Sequence, residues 1–99
     1  MKNFRTYQLA KELYKQGQAL PLKGALKDQF ERASLSVVLN LAEGSGKAGA
    51  DRKRFFKIAM GSLRETQACL DIIDSPLQDL ANEVGANLFR LLQNPGPGA

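Results

Sequence analysis

The chain has no histidine and no tryptophan, and Cys69 is its single cysteine. Without histidine it lacks the side chain that most often moves protons near neutral pH and most often binds metals. One cysteine excludes an internal disulfide and a cysteine-rich zinc site, a usage that suits a reducing compartment. Cys69 therefore reads as a small packed hydrophobe rather than a reactive thiol. No apolar run approaches the roughly 18 residues of a membrane span. The opening Met1-Lys-Asn-Phe-Arg-Thr-Tyr7 is too interrupted by charge for a secretory leader. The expectation is a soluble protein of the cytoplasm that uses no cofactor and no metal.

What the chain does contain is helical periodicity. Of its 99 residues 43% are hydrophobic, which suits one small folded domain over residues 1–93. A domain of this size buries only about 60–65% of its unfolded surface and often completes its core by oligomerising. A first helix is expected from about Phe4 to Gln18, with Phe4, Tyr7, Ala10, Leu13, Tyr14 and Gly17 on one face. A second begins near Ala25. Its main stripe is Leu26, Phe30, Ala33, Val37 and Leu41, with Leu35, Val38 and Ala42 forming another. Two stripes imply a helix covered on more than one side. Gly44 is placed to close it as a left-handed cap.

A third helix is expected from about Asp51, whose carboxylate caps or complements the dipole, to about Asp74. Its expected buried line is Phe55, Ile58, Ala59, Ser62, Thr66, Cys69 and Ile73, flanked by Phe56, Met60, Leu63 and Leu70. Ser75-Pro-Leu-Gln78 has the form of a capping box with proline at the first helical position. The fourth helix carries Leu77, Leu80, Ala81, Val84, Leu88, Leu91 and Leu92 as a stripe. Asn94-Pro-Gly-Pro-Gly-Ala99 cannot continue it and reads as a flexible tail. Four helices joined by short connections make an all-α, up-down-up-down four-helix bundle.

Few of the groups that carry chemistry are placed to do so. Gly44-Ser-Gly-Lys47 imitates part of a phosphate loop, but a helix rather than a strand precedes it and Ala48 follows the lysine. Ser34, Ser36 and Ser62 have no activating base at a readable spacing and read as small structural residues. No catalytic residue is assigned, and an enzyme is not expected. Arg32, Asn40, Glu43, Arg54 and Glu65 are expected to form a hydrogen-bonded network where the second and third helices meet, within one subunit or between two.

Charge is the one functional signal. Residues 1–64 hold thirteen of the fourteen Lys and Arg against five acids, a balance of +8, whereas residues 65–99 carry −4. Lys47, Arg52, Lys53, Lys57 and Arg64 concentrate at and beyond the start of the third helix. Such a stripe tracks phosphates without reading bases, and these five are the candidate nucleic-acid-binding residues. The alternative is a solvated face that keeps an oligomer in solution.

Two blocks carry a resemblance to a family. Gln29, Arg32, Ala33, Ser36, Asn40, Ala42, Glu43 and Gly44 match a pattern of roughly Q-L-R-R-A-x-x-S-I-P-x-N-I-A-E-G. Asp51, Arg54, Phe55, Ile58, Ala59, Gly61, Ser62, Leu63 and Glu65 match D-x-x-R-F-L-x-I-A-x-G-S-L-x-E. The chain thus resembles the four-helix bundle proteins encoded in intervening sequences of bacterial 23S ribosomal RNA genes. Glu31, Val38 and Gly49 depart from that pattern, and Glu31 removes one of two paired arginines. The resemblance implies a closed ring of bundles, typically a homopentamer. It is also similar to the accessory variability proteins of diversity-generating retroelements, which are basic barrels that bind nucleic acid and a reverse transcriptase. The expected partners are therefore other copies of the chain and RNA or DNA. A reverse transcriptase or another protein, bound by a scaffold that does not itself touch nucleic acid, is the alternative.

Overall fold

The computed structural model describes residues 4–93, so the tail expected at 94–99 lies outside the described residues. The helices are α1 (Arg5–Gly17), α2 (Gly24–Ser45), α3 (Gly49–Ile72) and α4 (Gln78–Gln93). No strand occurs among the described residues. Short connections turn each helix antiparallel to the one before it. Close backbone approaches run α1–α2, α2–α3, α3–α4 and α4–α1, and the α2–α3 contact is the widest. The result is an up-down-up-down bundle 42 Å long and 21 Å across. No helix is long and apolar enough to cross a membrane.

The core follows the expected stripe on α1, α2 and α4. Ala10, Leu13, Phe30, Ala33, Val37, Leu41, Ala81, Val84 and Leu88 are all buried. Helix α3 is rotated from its expected setting. Its buried apolar residues are Phe56, Ala59, Leu63, Cys69 and Leu70, while Phe55 is half-buried and Ile58 is 43% exposed. On α3 both rows are apolar enough to serve as a core line, and packing on α2 and α4 decides between them. Val38 of the second α2 stripe is buried, but Leu35 is exposed.

Two glycines let aromatic rings sit against a helix backbone. A Cβ on Gly17 would collide with the Phe30 ring, and one on Gly44 would lie 2.6 Å from Cε1 of Phe56. Gly44 is therefore not the left-handed cap of α2. It is the penultimate helical residue, and α2 continues to Ser45 with Gly46 as its C-cap. The left-handed glycine comes later: Gly49 opens α3 at φ +57°, after an extended Ala48 with no side-chain cap. Asp51 lies within the first turn, where its charge complements the dipole.

The α3–α4 junction is closed differently from the expected capping box. Asp74 takes φ 52°, its N–H donates to the Asp71 carbonyl, and the Ser75 N–H donates to the Leu70 carbonyl. That pair of bonds is the Schellman arrangement, with an aspartate in the place usually held by glycine. The Ser75 hydroxyl accepts from the Leu77 N–H at 3.1 Å. The Gln78 amide, however, turns away and donates to the Gln67 carbonyl of α3. A proline between Ser75 and Leu77 and a reach to α3 thus replace the reciprocal glutamine contact.

Two substitutions test these roles. Gly44→Ala should lower stability by about 1–3 kcal/mol, because the Phe56 ring must leave its seat. Asp74→Gly should raise it by up to about 1 kcal/mol, since glycine relieves the left-handed backbone and the change removes a negative charge from a helix C-terminus. Urea unfolding of the two variants beside the parent chain measures both.

Candidate functional site

Antiparallel topology brings the start of α1, the end of α2, the start of α3 and the end of α4 to one end of the bundle. Phe4 of α1's N-cap accordingly meets Phe56 of α3, with ring centroids 6.1 Å apart. Arg5, Lys47, Lys53, Arg54, Lys57 and Arg90 all gather toward this end, against the acids Glu43, Asp51 and Glu83. The opposite end mixes Asp71, Asp74 and Asp79 with Lys15, Lys23 and Lys27. The charge polarity seen along the sequence thus becomes a polarity along the bundle axis, to which Arg90 from the acidic segment adds.

The five candidate nucleic-acid residues fall into two groups. Lys53, Lys57 and Arg64 are exposed on one flank of α3, and none of them makes an ion pair among the described residues. Lys47 and Arg52 are engaged locally. Lys47 Nζ lies 3.7 Å from a Glu43 carboxylate oxygen. The Arg52 guanidinium sits 5.0 Å over the Phe56 ring, a contact of about 1 kcal/mol. Arg54, assigned from the sequence to the polar network, joins Lys53 and Lys57 instead. With Ala50 and Ile58 they line a shallow depression of about 400 Å³.

Within the protomer the expected network of Arg32, Asn40, Glu43, Arg54 and Glu65 does not assemble. The Asn40 amide donates back along its own helix to the Ser36 carbonyl at 2.9 Å and to its hydroxyl at 3.1 Å. Glu43 faces Lys47, and Arg54 lies 4.5 Å over the Phe55 ring. Glu65 accepts from Gln29 at 2.9 Å, and Arg32 is exposed. The charged members sit on the outer side of the helix pair, too far out to meet in the core. Besides the exposed Gln29–Glu65 bond, a part-buried polar link joins α2 to α3 from Ser36 to Ser62, oxygen to oxygen at 2.7 Å. Thr66 extends it by donating to the Ser62 carbonyl. Small hydroxyl residues make this link because two helices carrying a polar pair at close approach have no room for longer side chains.

Burial pushes the Cys69 thiol above its ordinary value, and the Glu65 carboxylate adds to the rise. Both effects disfavour the thiolate, so Cys69 remains a neutral packed side chain near pH 7. The sequence reading passed over Leu39, which is 57% exposed, and Phe89, also 57% exposed. Spacing alone carried a hint of Leu39, which follows Leu35 by four residues although it belongs to neither expected α2 stripe. Phe89 has no such companion.

Fold and charge together define the class: a small antiparallel four-helix bundle, basic at one end and along one flank of α3. Within that class the chain belongs to the 23S rRNA-intervening sequence protein family, whose family model matches residues 4–91. No curated protein and no solved structure matches it.

Ser36→Ala should cost about 1 kcal/mol by removing the interhelical hydroxyl contact. Adding Ser62→Ala should cost little more, because both hydroxyls serve one bond. A double-mutant cycle in denaturant gives the coupling directly.

Proposed function

We propose that the protein is a non-enzymatic, homo-oligomeric helical bundle of the cytoplasm that contacts the backbone of RNA or DNA through the basic flank of α3. The observation that carries this reading is the row Lys53, Lys57 and Arg64. Its cations are exposed, spaced along one helix and unpaired among the described residues. Cations held in this way exchange their counterions for phosphates, a gain that depends on salt and hardly on sequence. The nearby aromatics argue for the same mode. Phe56 is buried beneath Arg52 and Phe55 is half-buried beneath Arg54, so neither offers a bare face on which a base could stack.

Association of copies multiplies a weak contact of this kind, because each further protomer binds at a high effective concentration. The resemblance implies five copies in a closed ring. A second reading, a scaffold that docks another protein such as a reverse transcriptase, draws on Phe89, a large apolar side chain 57% exposed on α4.

Filter binding across a salt series tests the first reading. Retention of RNA or duplex DNA at about 50 mM salt should fall with a log–log slope of roughly −2 to −3 per engaged protomer, the value for about three phosphate contacts. Lys53→Glu with Lys57→Glu should abolish retention while leaving the helical circular dichroism unchanged. No retention by the parent chain even at low salt overturns the reading and leaves the scaffold.

A further inference from the structure

α2 and α3 each carry a second line of residues that the bundle does not cover. On α2 it runs Asp28, Arg32, Leu35, Leu39, and ends at Glu43. On α3 it runs Arg54, Ile58, Gly61, Glu65, Ala68 and Ile72. The α3 line alternates steps of four and three, the repeat of a helix–helix seam, and the α2 line steps by four, three, four and four. Leu35 is 39% exposed, Leu39 57%, Ile58 43% and Ile72 68%. These are four of the five large hydrophobic side chains exposed among the described residues. Scattered exposed leucines are ordinary, but a row of them in register on adjacent helices marks an interaction face.

The intrachain contacts set the levels of the two lines. Gln29 bonds Glu65, Ser36 meets Ser62, and Gly44 packs on Phe55 and Phe56. Arg32 therefore stands level with Glu65, Leu35 with Gly61, Leu39 with Ile58, and Glu43 with Arg54. Within each line one arginine and one glutamate bracket uncharged residues, Leu35 and Leu39 between Arg32 and Glu43 on α2, and Ile58 and Gly61 between Arg54 and Glu65 on α3. Where α2 carries the cation, α3 carries the anion.

The geometry points to a second copy of this chain as the occupant of this face, with the α2 seam of one protomer packed antiparallel on the α3 seam of the next. At matched levels Arg32 meets the second copy's Glu65 and Glu43 meets its Arg54, so both ends are paired by charge. Leu39 packs on Ile58, and Leu35 enters the space over Gly61, where a Cβ would find no atom within 4 Å. The Glu43–Lys47 contact is an exposed pair at 3.7 Å, worth little and readily exchanged for an arginine of the neighbour. The face spans two helices, each about 10 Å across with its side chains, and is about 27 Å long from Arg54 to Ile72 at 1.5 Å per residue. Its footprint is on the order of 600 Å² per copy, which brings two copies to the threshold of a specific interface.

This assignment rests on the homo-oligomer reading and adds to it the residues and the polarity of the contact. A reciprocal pair closes a dimer, and a head-to-tail repeat closes a ring from the same residue pairs. In either case the copies point the same way. Their basic ends then share one rim, and Lys53, Lys57 and Arg64 stand one step round α3 from the seam, outside the contact.

Light scattering and sedimentation equilibrium on the full chain test it. The parent should exceed monomer mass at micromolar concentration. Leu39→Asp should reduce it to monomer with unchanged helical circular dichroism, since Leu39 lies outside the core. Arg32→Glu and Glu65→Arg should each weaken association at least tenfold, and the two together should recover most of the loss. Recovery of Arg32→Glu by Glu43→Arg instead would assign the inverted docking, α2 on α2, and overturn this pairing. A parent oligomer indifferent to Leu39→Asp overturns the face while leaving the homo-oligomer reading intact. A monomeric parent at 100-fold higher concentration overturns both.

Discussion

The antiparallel register of α2 on α3 is the constraint from which the remaining structure follows. Three small residues set it. Gly44 admits the Phe56 ring against the α2 backbone, and the Ser36 and Ser62 hydroxyls meet at 2.7 Å between the two helices. Bulk at either place would push the helices apart and slide one along the other. With the register held, Phe30, Val37 and Leu41 of α2 turn toward Phe56, Ala59, Leu63 and Leu70 of α3 in one core. Helices α1 and α4 close over the open side of that pair through thinner contacts, tied at the surface by the 2.7 Å ion pair of Arg5 and Glu83.

The same register decides where charge goes. Because α2 descends as α3 rises, the α2–α3 turn and the ends of α1 and α4 share one pole of the bundle. The lysines and arginines that open α3 therefore reinforce one another across helices, and the acids that close α3 and open α4 fall at the other pole. The potential is therefore positive at one end and along one flank. The cations on the core-facing margin of α3 are absorbed locally, as Arg52 shows by lying on Phe56. Those on the outer flank, Lys53, Lys57 and Arg64, are exposed and make no ion pair among the described residues.

Register also turns a set of polar residues that share a sequence block into an outward pattern. Arg32, Glu43, Arg54 and Glu65 occupy the four corners of a face whose middle is Leu35, Leu39, Ile58 and Gly61. In a single protomer such residues look misplaced: the charges are unpaired or held by weak exposed contacts, and the apolar side chains meet water. The proposed neighbouring copy would resolve both defects at once. Under the two proposals, phosphate binding and self-association would use adjacent but separate strips of α3, so that oligomerisation would concentrate the basic flank without covering it.

Much of this was legible in the chain itself. The count and order of helices follow from runs of 3.6-residue periodicity broken at Pro21, Gly44-Ser-Gly46 and Pro76, and the core of α1, α2 and α4 follows from single dominant stripes. Local chemistry also foretold that Cys69 packs as a neutral side chain. Sequence could not choose between the two apolar rows of α3, because both satisfy the helical repeat and only contact with α2 and α4 distinguishes core from surface. It misread Gly44 as a backbone device when the residue is there for space, since a close approach from a distant helix leaves no local mark. It expected Arg32, Asn40, Glu43, Arg54 and Glu65 to form one hydrogen-bonded network where α2 and α3 meet, whereas within the protomer Asn40, Glu43, Arg54 and Glu65 each take another contact. Periodicity is a property of one helix and determined each helix's existence. Rotation, register and the partners of charged side chains are properties of two helices in contact, and only the tertiary structure decided them.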